Sequence, residues 1–180
     1  MKVITAIDHY KKQPEDIFVF LAGGITNCWD WQGEIIHQLK QYEDTDHLIL
    51  FTPRRENFPI HDPNASQEQI EWEFKYLEQM DIFSMYFCNS DSDQPICMYE
   101  LGRNIVKIQN RFPGDWPYRI IISIEEGYRR AKDVEIQTRL ATDNEINSMN
   151  RLTISPDKEM VSSTHAAEIY RMYDRLFKYK

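Results

Sequence analysis

The chain of 180 residues contains few glycines and cysteines, no long apolar run and no cluster of basic residues. Its net charge of −8 opposes binding to duplex nucleic acid and to anionic membrane surfaces, so we expect neither as a partner. No segment has the length and apolarity of a membrane span, and the first residues lack the apolar core of a signal peptide. These features predict a cytoplasmic protein and leave a small, neutral or singly phosphorylated ligand possible.

The sequence also lacks the cysteine spacings typical of metal sites and two common nucleotide-binding motifs. Cys28, Cys88 and Cys97 form no CxxC pair and no Cys–His spacing suited to zinc, so we expect no metal site and reduced, mostly structural thiols. The first strong apolar run ends in LAGGITN rather than GxGxxG, and no GxxxxGK[ST] occurs. A Rossmann dehydrogenase and a Walker-type phosphotransferase are therefore disfavoured.

Short apolar runs alternate with helical patterns, which predicts βαβ units and a mostly parallel sheet. Strands are predicted at about 2–7, 17–23, 48–53, 81–87 and 119–124, and helices at about 30–41, 66–80, 95–109, 129–141 and 165–179. We predict one domain over 1–180, with a three-layer α/β/α fold of flavodoxin-like or Rossmann-like type and four to five strands. Residues 143–180 are interpreted as a tail whose helix could cover the sheet or meet a second subunit.

Two helices allow more detailed predictions. Asp30 is placed to cap the first helix, where Trp31 begins an apolar face. In the second helix, Ile70, Phe74 and Leu77 are spaced for burial. Ser66, three residues before Gln69, resembles a capping box at the start of that helix.

Glu100 is the candidate catalytic carboxylate. Open parallel sheets bind ligands beyond the carboxyl ends of their strands, and the loops 23–31, 53–57 and 88–95 are predicted to reach that edge. Glu100 lies within about two turns of the start of the helix after the third loop, and helical side chains tilt towards the helix N-terminus. The alternative is that Glu100 only complements the helix dipole.

Aromatic and basic residues at the same edge are candidate ligand contacts. We expect one of Trp29 and Trp31 to face the core, while the other could stack on a nucleobase. One of Arg54 and Arg55 is expected to form a salt bridge with a nearby acid, and the other could hold a phosphate or another acidic group.

Four segments carry a resemblance to a known family. FLAGGITNCWDWQGEII, TPRR, LEQMDIFSMYF and YELGRNIV follow one another in the order seen in nucleoside 2-deoxyribosyltransferases and their relatives, over about 18–124. The resemblance implies that Glu100 attacks the anomeric carbon and that Asp81 contacts the nucleobase and assists proton transfer. A further acid before the glutamate would be Asp93, with Asp91 as the alternative because the loop length departs from the family pattern.

The function implied by the resemblance is transfer of a 2-deoxyribosyl group between nucleobases through a covalent glycosyl–Glu100 intermediate. It implies no cofactor and a homo-oligomer, in which the tail from about Asp143 could complete a neighbouring subunit's site. The expected substrate-binding residues are Gly23, Gly24, Trp29, Asp30, Trp31, Arg55 and Asp93.

Three other functions are left open by the sequence. The first is a deoxyribonucleoside 5'-monophosphate N-glycosidase, whose phosphate pocket could use Ser90 and Ser92. The second is a glycohydrolase acting on NAD or ADP-ribose, and the third is a non-catalytic nucleotide-binding module.

Overall fold

The computed structural model describes residues 1–59 and 61–179, and its strands form a single sheet. The strands are β1 (Lys2–Thr5), β2 (Ile17–Gly23), β3 (Leu48–Thr52), β4 (Ile82–Phe87), β5 (Ile120–Glu125) and β6 (Leu152–Ser155). Their order is β1-β3-β2-β4-β5-β6, and every neighbouring pair is parallel. The α/β class is confirmed, but the predicted four to five strands were too few. The sixth strand has only four residues and lies in the segment interpreted as a tail.

Helices cover both faces of this sheet. They are α1 (Trp31–Leu39), α2 (Ala65–Gln79), α3 (Pro95–Arg111), α4 (Ala131–Ala141), α5 (Glu145–Ser148) and α6 (Lys158–Lys178), with a 3₁₀ turn at Trp116–Arg119. One apolar cluster joins alternate strand residues to α2, α3 and α4, and a second joins the other strand residues to α1 and α6. The three-layer architecture is therefore confirmed. Among the described residues, no helix combines the length and apolarity needed to cross a bilayer.

Helix α1 begins where its cap was predicted. The Asp30 carboxylate accepts a hydrogen bond of 2.9 Å from the Gly33 backbone N–H. Trp31, Ile35 and Leu39 are fully buried because they repeat at helical spacing on the face that meets the sheet. The start of α1 is thus held immediately beside the carboxyl end of β2.

Helix α2 buries Leu77 as predicted but not the other two residues of the predicted face. Ile70 is 64% exposed and Phe74 is 54% exposed, whereas Trp72 and Tyr76 are buried. Two apolar faces compete on this helix, and the face with the larger aromatic rings packs on the sheet, where it buries more apolar area. The predicted capping box is also wrong, because the N-cap residue is Asn64 and its side chain makes no capping hydrogen bond.

Helix α6 covers the sheet of its own chain. Ile169 and Met172 are fully buried in the second apolar cluster. The His165 side chain is also fully buried, and its two ring nitrogens lie 2.7 Å from the hydroxyls of Ser84 and Ser123 on the central strands. Burial lowers the pKa of His165 to about 3, so the ring is neutral. The helix therefore covers the sheet, which is one of the two roles considered for it. The expectation that the tail from about Asp143 completes a neighbouring subunit's site stays a prediction.

Candidate active site

A cavity of about 360 Å³ opens at the carboxyl edge of the sheet. Its wall includes Gly23 and Gly24 from the end of β2, Glu73 from α2, and Gln94 and Glu100 from the start of α3. The predicted placement of Glu100 near Gly23 and Gly24 thus agrees with the structure, and the cavity lies where parallel sheets bind ligands. The contact of Glu100, Gly23 and Gly24 with a substrate stays a prediction.

Two carboxyl groups share this cavity. Burial raises the pKa of Glu100 to about 7, the Glu73 carboxylate adds to the increase, and Arg103 opposes it. Burial also raises the pKa of Glu73, and a hydrogen bond from Gln69 partly offsets that increase. Paired carboxyl groups with raised pKa values can divide their roles, because one carries a proton while the other is ionised.

Glu73 is the functional candidate that the sequence reasoning missed. It directly follows the buried Trp72 and lies three residues before the buried Tyr76, so it is at the border of the inward face of α2. The predicted burial of Ile70 and Phe74 had placed the helix in the wrong rotation. A search for acids at the border of the Trp72 and Tyr76 face would have identified Glu73.

Two glycines and Gln94 shape the cavity next to β4. Gly23 has a φ of +151°, and a Cβ there would lie 2.2 Å from the Tyr86 carbonyl oxygen. A Cβ at Gly24 would lie 2.3 Å from Gln94 Oε1. The Gln94 amide nitrogen donates a 2.7 Å hydrogen bond to the Cys88 carbonyl, while its buried Oε1 has no protein partner among the described residues. Side chains are therefore excluded from both glycine positions, and an acceptor remains free at the cavity wall.

Cys28 and Cys88 form a disulfide, which corrects the expectation of reduced thiols for this pair. The bond joins the loop after β2 to the end of β4, and a Cβ at Gly24 would lie 2.7 Å from Cys28 Sγ. Cys97 is a buried free thiol in the cavity wall, and burial raises its pKa to about 12, with Glu100 adding to the increase. Cys97 is therefore protonated at neutral pH and unsuited to nucleophilic attack.

The two tryptophans of the first loop do not line the Glu100 cavity. Trp31 is buried, stacks on Tyr86 with ring centroids 4.7 Å apart, and donates a 2.8 Å hydrogen bond to the Gly24 carbonyl. The buried Trp31 side chain therefore holds the Gly24 backbone from the core side. The prediction that Trp31 contacts a ligand is corrected. Trp29 donates its ring N–H to the buried carboxylate of Glu125 and borders a separate cavity beside Lys158.

Of the two adjacent arginines, Arg54 forms the salt bridge. Its Nε lies 3.1 Å from Asp30, and its Nη2 donates a 2.9 Å hydrogen bond to the Trp29 carbonyl. Asp30 is thus engaged as a helix cap and ion-pair partner and is not part of the Glu100 cavity wall. Arg55 lines a second cavity, of about 610 Å³, that adjoins the first.

The acids of the loop before α3 are not part of the Glu100 cavity wall. Asp93 pairs with Arg129 at 3.1 Å, and the Asp91 carbonyl accepts a 2.6 Å hydrogen bond from the same arginine. Ser92 and Gln94 line the cavity instead. Asp93 and its alternative Asp91 are therefore not brought into the cavity that Glu100 lines, and a contact of either acid with a substrate stays a prediction.

Asp81 lies at the opposite edge of the sheet. It precedes β4, where its carboxylate accepts a 2.8 Å hydrogen bond from the Phe18 backbone N–H and forms an ion pair with Lys12. It lines a cavity with Arg119, and Glu100 is not part of that cavity. The expectation that Asp81 acts beside Glu100 is therefore corrected, because strands of a parallel sheet begin and end at opposite edges. Among the described residues, no group of three or more His, Cys, Asp or Glu side chains could hold a metal ion.

One family model, described as nucleoside 2-deoxyribosyltransferase like, matches residues 16–112, which is more than half of the chain. The chain belongs to this family. The matched segment runs from the residue before β2 to the residue after α3 and includes both carboxylates, Glu73 and Glu100. The resemblance inferred from the four sequence segments is confirmed. No curated protein matched the chain.

Proposed function

We propose that the protein cleaves the N-glycosidic bond of a 2'-deoxynucleoside and transfers the 2-deoxyribosyl group to another nucleobase. The observation that supports this most strongly is the pairing of Glu100 with Glu73 in one cavity at the carboxyl edge of the sheet. Membership of the nucleoside 2-deoxyribosyltransferase-like family supports the same class of chemistry.

The two carboxyl groups are suited to two successive displacements. The ionised Glu100 attacks C1', the C1'–N bond breaks, and its electron pair leaves with the base. The protonated Glu73 donates its proton to a ring nitrogen of that base, and the sugar is then held as an ester of Glu100. A second base attacks C1' and returns a proton to Glu73, which frees Glu100 and gives net retention at C1'.

The raised pKa values suit these roles. With a pKa of about 7, Glu100 is partly ionised at neutral pH, and the raised pKa values of both groups favour a pair that carries one negative charge and one proton, because two adjacent negative charges repel. The proposed reaction uses the form of this pair in which Glu100 is ionised and Glu73 holds the proton. A buried carboxylate is also poorly solvated and therefore well matched to the positive charge that develops on the sugar.

Hydrolysis of a deoxyribonucleoside 5'-monophosphate is a second candidate function. Ser92 lines the Glu100 cavity and accepts a 3.1 Å hydrogen bond from the Gln94 backbone N–H, so its hydroxyl proton is free to donate to a phosphate. In this reaction water replaces the second base in the attack on C1'. Comparing a nucleoside with its monophosphate distinguishes the two candidates.

The deciding experiment mixes the protein with one deoxynucleoside and a different free base and separates the products by chromatography. A new deoxynucleoside supports transfer, and release of free base alone supports hydrolysis. We expect Glu100→Gln to abolish either reaction and Glu126→Gln, an exposed acid outside the cavity, to leave it unchanged. Absence of turnover with both nucleosides and monophosphates would contradict the proposal.

We also propose that the protein is a homo-oligomer, as its resemblance to the family implies. Four apolar side chains on α2 and α3, the helices that carry Glu73 and Glu100, are exposed: Ile70 is 64% exposed, Phe74 54%, Ile96 66% and Tyr99 68%. Clusters of this kind often mark interfaces. Light scattering should give a mass above the 21.6 kDa of one chain, and Phe74→Glu should lower it. A wild-type protein that is monomeric at assay concentrations would contradict this expectation.

A further inference from the structure

The cavity lined by Arg55 is continuous with the Glu100 cavity. The two share Glu73 together with the backbone and side chains of Ile25, Thr26, Pro53 and Ile96. Beyond this shared wall, the second cavity is bounded by Arg55, Phe58, Ser66, Gln69 and Ile70. A ligand with its sugar at Glu100 therefore has room for a second, flat group on the other side of Glu73.

Two residues that line the second cavity, Arg55 and Gln69, each have a buried polar atom without a protein partner among the described residues. The Gln69 amide nitrogen donates to the Pro53 carbonyl at 2.7 Å and to the Glu73 carboxylate at 2.8 Å, which leaves Gln69 Oε1 as a buried, unused acceptor. Arg55 Nη1 is a buried, unused donor. Because buried polar groups are normally hydrogen-bonded, this donor and acceptor together indicate a ligand that carries one of each.

Arg55 differs from the other arginines of the chain. Each of the others contacts a carboxylate or a backbone carbonyl within the described residues. Among residues 1–59 and 61–179, the contact given for the Arg55 side chain is with a ring, its guanidinium carbon lying 5.4 Å from the Phe58 ring centroid. In a chain with a net charge of −8, an arginine without an acidic partner inside a cavity is placed to bind a ligand atom rich in electrons.

We propose that the second cavity is the nucleobase subsite and that Arg55 and Gln69 select bases with a carbonyl group beside a ring N–H. Hypoxanthine, guanine, uracil and thymine belong to this class. The inference rests on the proposed function, since it assigns the sugar to the Glu100 cavity. Arg55 donates to the carbonyl oxygen of the base, and Gln69 Oε1 accepts from the adjacent ring N–H.

The same arrangement assists departure of the base. When the C1'–N bond breaks, the electron pair is delocalised from the ring nitrogen onto the carbonyl oxygen, where the Arg55 guanidinium stabilises the negative charge. Glu73 stands in the wall between the two cavities, where it can deliver the proton to the departing base. Adenine and cytosine present an amino group at the position of this carbonyl and therefore give Arg55 no oxygen to stabilise there.

The lining of the second cavity favours a base over a phosphate group. Phe58, Ile70 and Ile96 offer apolar surfaces that match the faces of an aromatic ring. A phosphate needs several donors, and Arg55 is the only positively charged side chain among the described residues of the lining.

Calorimetric titration of the wild-type protein with free bases tests the inference without requiring turnover. Hypoxanthine and adenine are matched in size, as are uracil and cytosine. We expect each oxo-base to bind at least about tenfold more tightly than its amino partner, the effect of one hydrogen bond to a charged group. Arg55→Met should reduce this preference to about twofold or less. Arg130→Met, which removes a surface arginine paired with Asp133, serves as the matched control and should retain the preference.

Three outcomes would overturn the inference: equal binding of each pair by the wild type, an unchanged preference in a folded Arg55→Met variant, or displacement of hypoxanthine by inorganic phosphate through an Arg55-dependent site. Failure of the proposed function is a separate result. Base preference without cleavage of any deoxynucleoside would refute the reaction and leave the subsite standing. Equal cleavage of deoxyinosine and deoxyadenosine, unaffected by Arg55→Met, would refute the subsite and leave the reaction standing.

Discussion

Replacing Glu100 with glutamine should make the protein more stable at high pH. Burial, with a further contribution from Glu73, raises the pKa of Glu100 from its ordinary 4.5 to about 7 in the folded protein. The folded state therefore binds more protons than the unfolded chain between these two values, and its stability falls as the pH rises from about 4.5 to about 7. Glutamine has a similar shape but carries no charge at any pH.

The expected size of the effect follows from the displacement of the pKa. Each pKa unit is worth about 1.4 kcal/mol, so a rise from 4.5 to about 7 corresponds to at most about 3.5 kcal/mol of destabilisation above pH 7. Glu100→Gln should match the wild type near pH 4.5 and exceed its free energy of unfolding by up to this amount at pH 8. For a chain of this size the gain corresponds to an increase of up to roughly 7–14 °C in the melting temperature.

Urea unfolding followed by circular dichroism at pH 5, 6, 7 and 8 measures the difference directly. Glu126→Gln removes an exposed carboxyl group outside the cavity and is the matched control, with a small difference that does not grow with pH. A Glu100→Gln difference of the same size at pH 5 and pH 8 would refute the reasoning. So would a variant that is less stable than the wild type at pH 8, because Glu100 would then be stabilised by its charge.

Three further predictions follow from the cavity. Glu73→Gln should lower the rate by about 10²–10⁴-fold through loss of the proton donor, and should move the acidic limb of the pH–rate profile, set by Glu100 at about pH 7, to lower pH. Reducing the Cys28–Cys88 disulfide with a dithiol should lower the free energy of unfolding by about 2–4 kcal/mol and reduce activity, while a Cys28→Ser, Cys88→Ser variant should not respond to the reductant. Gly23→Ala should lower the free energy of unfolding by at least about 1–3 kcal/mol in urea titration, because of its φ of +151° and its contact with the neighbouring strand.

The strands could be predicted because burial on both faces leaves a continuous apolar run. Ile17–Gly23 was predicted at the observed limits, and Pro95 was correctly interpreted as the start of a helix. The strand Leu152–Ser155 was not predicted because it lacks such a continuous apolar run. It has four residues, and only its first and last are buried, so its pattern does not differ from that of an irregular tail.

The disulfide could not be predicted from spacing. Cys28 and Cys88 are 60 residues apart and follow two different strands, β2 and β4. They become neighbours only because these strands pair directly in the sheet, so that the loops at their carboxyl ends meet. Strand order, which sequence patterns leave open, therefore decides which cysteines can react.

The choice between Asp81 and Glu73 depends on the same topology. Both acids lie near β4 in sequence, but Asp81 immediately precedes the strand and is at the amino edge. Glu73 lies on the preceding helix, α2, which runs antiparallel to the strands. Because Glu73 is more than one turn before the end of α2, its side chain lies at the carboxyl edge of the sheet, in the cavity that Glu100 also lines. An acid eight positions earlier in the chain is thus the one beside Glu100. In a βαβ fold, a catalytic partner for a residue at the carboxyl edge is better sought on the preceding helix than at the start of the next strand.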